Sequence, residues 1–200
     1  MDNKVYILLD RSGSMSSMWK EALGGINGYV KGLKNADVTL AAFDTLGYDV
    51  IRTARCDEWK DVTNEDVLPR GGTPLLDAAA RIMHSAIDSK AKRAIVVVVT
   101  DGEENSSQKY NVTEVRNLTK MLTSELDYEM VFLGANFDKI DSVAHTNFGV
   151  RDMSRVVPVS SVSFTRTMTG ATVGATMDYF NNGKSETFYN EAQVADAKKA

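Results

Sequence analysis

Apolar residues follow two rhythms along this chain. Short unbroken runs such as Val5-Tyr6-Ile7-Leu8-Leu9 and Ala94-Ile95-Val96-Val97-Val98-Val99 alternate with longer stretches in which apolar positions recur every three to five residues. The first rhythm predicts strands covered on both faces, the second helices with one buried stripe. Met18, Leu23, Ile26, Tyr29, Val30 and Leu33 mark one such helix, in which Gly24, Gly25 and Gly28 lower helix propensity but permit close packing on a sheet. Leu75, Leu76, Ala79, Ile82, Met83, Ala86 and Ile87 mark a second, with Pro74 suited to its first turn. Val112, Val115, Leu118, Met121, Leu122 and Leu126 mark a third.

The remaining elements are shorter. Val38 to Phe43 and Tyr48 to Thr53 flank the turn Asp44-Thr45-Leu46-Gly47 and predict the one hairpin of the sheet. Residues 57–70 are polar and interrupted by Pro69, which predicts an irregular connection with one short helical turn. Glu129 to Leu133 reads as a strand, Ile140, Val143 and Ala144 as a short helix, and Arg155 to Val159 as an edge strand, where Pro158 is tolerated. A last helix weakened by Thr and Gly runs from Phe164 to Phe180. Alternation of strands and helices predicts a doubly wound, three-layer α/β/α sandwich with a mostly parallel sheet of about six strands. One domain over residues 1–181 accounts for these elements, and residues 182–200 read as a polar tail or loosely docked helix.

The candidate chemistry lies where strands run out. Asp10-Arg11-Ser12-Gly13-Ser14 follows the first apolar run, Gly71-Gly72-Thr73-Pro74 opens the second helix, and the run ending in Thr100 leads into Asp101-Gly102. Oxygen side chains at the carboxyl ends of strands suit a hard cation, in the crevice where open α/β sheets bind ligands. Taken singly, each stretch also fits ordinary helix capping or a turn.

Together these three stretches resemble the von Willebrand factor A (VWA) domain and its metal-ion-dependent adhesion site, built from Asp-x-Ser-x-Ser, a distant Thr and a distant Asp. The corresponding positions are Asp10, Ser12, Ser14, Thr73 and Asp101. The resemblance implies strand order three-two-one-four-five-six with the third strand antiparallel at the edge. It implies Mg²⁺ as the cofactor, with Mn²⁺ able to substitute, Ser12, Ser14 and Thr73 binding directly through their hydroxyls, and Asp10 and Asp101 binding directly or through water. An open coordination position would take an acidic side chain of a partner protein. Gly71 to Leu75 and the single-domain layout look like the intracellular microbial members of the family, such as the tellurium-resistance-like and chaperone-linked branches, rather than matrix adhesion proteins.

Composition narrows the partner. A net charge of −4 and no basic run argue against nucleic acid, and no apolar run is long enough to cross a bilayer. The chain reads as cytoplasmic, with the single Cys56 unable to form an internal disulfide. No feature fixes an oligomeric state. No histidine or lysine is tied by spacing to Asp10, so a binding module is expected rather than an enzyme. A metal-dependent hydrolase or phosphotransferase, and an assembly scaffold with a structural metal, are the alternatives. Arg11 and Arg70 flank the site and either grip a partner anion or pair within the chain, while Asp44, Glu103 and Glu104 share the rim and are left outside the ligand set.

Overall fold

A computed structural model describes residues 2–101, 104–134 and 137–199, with the side chains of 137 and 138 set aside. The elements in chain order are β1 (Asn3–Asp10), α1 (Trp19–Gly32), β2 (Ala36–Asp44), β3 (Gly47–Arg55), α2 (Leu75–Asp88) and β4 (Arg93–Thr100). They continue as α3 (Val112–Lys120), β5 (Glu129–Gly134), α4 (Phe137–Phe148), β6 (Val156–Pro158), α5 (Ser161–Thr167), α6 (Val173–Asn182) and α7 (Glu191–Ala197). The sheet order is β3-β2-β1-β4-β5-β6, with β3 alone antiparallel to its neighbour.

Period-two alternation in the central strands divides the core into two layers. Val5, Ile7 and Leu9 of β1 join Ile95, Val97 and Val99 of β4 in packing against α1 and the α5–α6 rod. Tyr6 and Leu8, with Val96 and Val98, face α2, α3 and α4 instead. These strands are buried on both sides, which is why they read as continuous apolar runs. The connection from β1 to β2 runs through α1 on one face and that from β3 to β4 through α2 on the other, so the strand order reverses at β1. The carboxyl ends of β1 and β4 therefore open a crevice where the side chain of Asp10 and the segment after Thr100 meet.

Three local features of the helices differ from the sequence expectations. Helix α3 does not continue regularly to Leu126: a π turn over Met121–Glu125 rotates the stripe, and Met121 and Leu126 are left partly exposed. A second π turn, Met168–Thr172, joins α5 to α6. The glycines of α1 serve a helix rather than the sheet, since a Cβ at Gly25 would sit 2.8 Å from the Phe164 ring and one at Gly32 2.8 Å from Val173. Helix α1 can thus approach the α5–α6 rod closely, and Tyr29 reaches Thr176 across that contact at 2.9 Å.

Beyond Asn182 the polar composition conceals two buried rings. Phe188 and Tyr189 enter the core, Tyr189 pairs with the Thr172 hydroxyl at 2.9 Å, and the Ser160 amide donates to Ala197 O at 3.1 Å. In the irregular connection after β3, a 3-10 turn covers Cys56–Glu58 and Asn27 ties the rest down. Its carboxamide accepts from the Trp59 indole at 3.1 Å and the Val62 amide at 2.9 Å, and donates to Val62 O at 2.9 Å.

Candidate functional site

The floor of the crevice is polar and almost closed to solvent. Asp10, Ser12 and Thr73 are buried, whereas Ser14 is exposed and Asp101 half-buried, so the five predicted residues grade from a closed floor to an open mouth. Asp10 ends β1, and both its oxygens are engaged: Oδ1 accepts from the Ser12 amide at 2.8 Å and Oδ2 from the Thr100 hydroxyl at 2.8 Å. The Ser12 and Ser14 hydroxyls meet at 3.0 Å. Neither serine hydroxyl caps the 3-10 turn Gly13–Met18, and Met18 supplies no side-chain cap to α1.

Backbone bonds carry the Thr73 loop to this cluster. The Arg70 amide donates to Arg11 O at 2.6 Å and the Gly13 amide to Gly71 O at 3.0 Å, which lays the two loops side by side. Gly71 makes this possible with φ of +69°, and a Cβ there would stand 2.6 Å from the Thr45 hydroxyl. That hydroxyl accepts from the Gly72 amide at 3.1 Å. Gly71→Ala is therefore expected to cost about 1–2 kcal/mol for the left-handed backbone alone, with the Thr45 clash in addition. Urea unfolding should show a lower midpoint at unchanged slope; an unchanged midpoint would mean that the loop is not held in this conformation.

Thr73 does not act as a helix cap either. Helix α2 begins at Leu75 with no side-chain cap from its own flank. Its free Leu76 amide is taken at 2.8 Å by Glu104, whose carboxylate also accepts from the Ser106 and Ser107 amides and the Ser107 hydroxyl. Asn105 clamps Thr73 from both sides, accepting from its amide at 3.0 Å and donating its own amide to Thr73 O at 3.1 Å. Asp77 collects the amides of Gln108, Lys109 and Tyr110 at 2.8–2.9 Å. Glu104 is thus a loop fastener rather than a solvated rim charge. Thr100, Asn105 and Asp77 escaped the sequence reading, because nothing periodic marks a contact between distant loops. Gly102 and Glu103 lie outside the described residues.

The two arginines pair within the chain. Arg11, nearly buried, donates to Asp44 Oδ2 at 2.8 Å and also meets Asp49, while Arg70 reaches the same Asp44 oxygen at 2.6 Å. Burial alone would raise the Asp44 pKa, but the Arg70 hydrogen bond, the Leu46 amide and the two guanidinium charges outweigh it and hold the carboxyl below its ordinary value. Asp10 behaves oppositely. Burial, with a smaller push from the nearby Asp101 charge, outweighs its hydrogen bonds and raises it to about 6.

One oxygen in this cluster is left over. Asp101 Oδ1 is buried and accepts no hydrogen bond from any described residue. Buried carboxylate oxygens are normally satisfied, so this atom fits a missing positive ligand. The donor set, two carboxylates and three hydroxyls, fits a hard oxygen-seeking cation. Among the described residues no three His, Cys, Asp or Glu side chains cluster to hold a metal, so such a cation would depend on the hydroxyls.

The sequence profile described as "VWA domain containing CoxE-like protein" matches residues 2–124, more than half of the chain. The chain belongs to the VWA family. The matching branch is the CoxE-like one, and the tellurium-resistance-like type expected from Gly71 to Leu75 does not figure in the match. No curated protein matches this VWA chain. Among solved structures, it is similar to the PilB minor pilin from Streptococcus sanguinis, at 14% identity and a TM-score of 0.62, over 92% of this chain and 64% of the pilin. It is also similar to a von Willebrand factor type A protein from Catenulispora acidiphila, at 16% identity and a TM-score of 0.58, over 88% of this chain and 42% of that one. Proximal thread matrix protein 1 from the mussel byssus aligns at 14% identity and a TM-score of 0.60, over 84% of this chain and 46% of the other. At these identities the likeness is one of fold, and the chain spans less than two thirds of each relative's length. Among the described residues, no helix is long and apolar enough to cross a membrane.

Proposed function

We propose that this VWA domain is a protein-binding module that grips its partner through a divalent cation. Asp10, Ser12, Ser14, Thr73 and Asp101 would hold Mg²⁺, or Mn²⁺ in its place, and an acidic side chain of the partner would complete the shell. The unsatisfied, buried Asp101 Oδ1 beside Asp10 carries this reading, since a cation is the simplest group that satisfies both. When bound, the ion supplies an electrophilic anchor for an anionic oxygen. The Ser12 and Ser14 hydroxyls meet at 3.0 Å, and Asn105 holds the Thr73 backbone from both sides. Binding is favoured over turnover because, among the described residues, the side chains hydrogen-bonded to Asp10 are hydroxyls of Ser12 and Thr100, with no histidine or lysine to relay a proton. The neighbouring arginines are already paired with Asp44, so the partner's carboxylate is left to the cation.

The test is a pull-down from lysate of the native host with the wild type and an Asp10→Ala/Thr73→Ala double variant, each in Mg²⁺ or in EDTA, read by mass spectrometry. Proteins captured by wild type in Mg²⁺ and lost both on chelation and on substitution support the proposal. Capture that survives both overturns it in favour of a scaffold whose metal is incidental.

A further inference from the structure

At the end of the sheet opposite Asp10, a cavity of about 830 Å³ opens between α3, α4 and the segments that flank β6. Met130, near the start of β5, lies on its wall, whereas Asp10 ends β1, which runs in the same sense as β4 and β5. The cavity is thus separate from the crevice described above. Its volume lies in the range of small-molecule sites.

Its charge is opposite to that of the chain as a whole. Arg116, Lys120, Arg151, Arg155 and Lys184 line it, against Asp152 and Glu186. Arg155 contributes shape rather than free charge: its guanidinium pairs with Glu129 at 2.7 and 2.9 Å, meets Asp152, and donates to Ser185 O at 2.8 Å. Asp152 is spoken for in turn, by Arg155 and by the Ser154 amide at 2.9 Å.

What remains is an excess of positive charge, Arg116, Lys120, Arg151 and Lys184 against the exposed Glu186. Lys120 and Arg151 are exposed, and among the described residues their side chains have no hydrogen bond or ion pair. Arg116 uses Nε and one terminal nitrogen on a single carbonyl, Thr146 O, which leaves the other terminal nitrogen free. Lys184 is half-buried and donates to Thr123 O at 2.6 Å and Tyr128 O at 3.2 Å, leaving a third N–H. Burial lowers the pKa of Lys184, so an anion nearby would stabilise its charged form. Behind these donors lie Met130, Phe148 and Val150, almost fully buried, so the accessible lining is that of the charged and polar side chains.

We infer that this cavity binds a small molecule that carries more than one phosphate, up to nucleotide size, its phosphates on Arg116, Lys120, Arg151 and Lys184. Guanidinium and ammonium groups converging from a helix, a loop and a turn match a multiply charged phosphate better than a single carboxylate.

Calorimetric titration of the full chain with ADP, pyrophosphate and inorganic phosphate, all in EDTA to silence any cation site, tests this. The variant is Lys120→Gln/Arg151→Gln, whose two side chains are exposed and unpaired and so leave the fold intact. ADP and pyrophosphate should both bind more tightly than inorganic phosphate, the double variant should weaken both at least about tenfold, and affinity should fall as NaCl rises from about 0.05 to about 0.5 M. No binding of ADP, or binding unchanged in the variant, overturns the assignment. Inorganic phosphate binding as tightly as pyrophosphate overturns the match to a multiply charged phosphate.

Discussion

Replacing Arg155 with alanine is expected to destabilise the domain by about 3–5 kcal/mol, because it strands the Glu129 carboxylate in the interior without its partner. Glu129 opens β5 and is fully buried, and Arg155 meets both of its oxygens, at 2.7 and 2.9 Å. The same guanidinium ties in Asp152 and the Ser185 carbonyl, so one side chain joins β5, the approach to β6 and the segment after α6. Against a total stability of about 5–15 kcal/mol, such a loss would bring the protein close to unfolding at room temperature. Replacing both partners, as Glu129→Met/Arg155→Met, should recover much of it, since a buried pair exchanged for apolar groups of similar size is often neutral. Urea unfolding of the three proteins gives the answer. A cost below about 1 kcal/mol for Arg155→Ala would show that Glu129 finds another way to shed its charge or reach water.

Saturating Mg²⁺ should stabilise the wild type, and Asp101→Ala should abolish that gain while leaving the metal-free stability nearly unchanged. The asymmetry follows from the bonding. Asp101 Oδ1 receives no donor within the described chain, so removing it forfeits no hydrogen bond at that atom. Asp10, by contrast, anchors the Ser12 amide and the Thr100 hydroxyl, and Asp10→Ala should cost stability with or without metal. At a free Mg²⁺ concentration about a hundred times its dissociation constant, the wild type should gain about 2.7 kcal/mol. For a domain of this size that is roughly 5–10 °C in melting temperature. A melting temperature indifferent to Mg²⁺, or an equal shift in Asp101→Ala, would contradict the assignment of Asp101.

Much of this architecture was legible because the core is periodic. The unbroken runs at Val5 and Ile95 became the two central strands, and the one hairpin became the antiparallel edge β3, joined to β2 through a register shift between Leu40 and Ala41. The π turns were not legible, since Met121 and Leu122 continue an apolar rhythm that the backbone interrupts. The α1 glycines announced a close approach without naming what approaches, and Phe164 and Val173, far away in sequence, took that place. At the candidate site the positions of Asp10, Thr73 and Asp101 at element ends could be read from strand and helix boundaries. The fastening of their loops by Glu104, Asn105 and Asp77 could not, because those contacts join loops about thirty residues apart with no pattern in the sequence. Arg11 and Arg70 were ambiguous for the same reason, and the buried Asp44 between them resolves it.

The most direct measurement is a calorimetric titration of Mg²⁺ into the metal-free wild type, Asp101→Ala and Ser12→Ala, repeated with Mn²⁺ by electron paramagnetic resonance. The account predicts one cation per wild-type chain and binding lost or weakened at least about tenfold, a change of about 1.4 kcal/mol, in each variant. No saturable binding to the wild type, or binding indifferent to both substitutions, would contradict it.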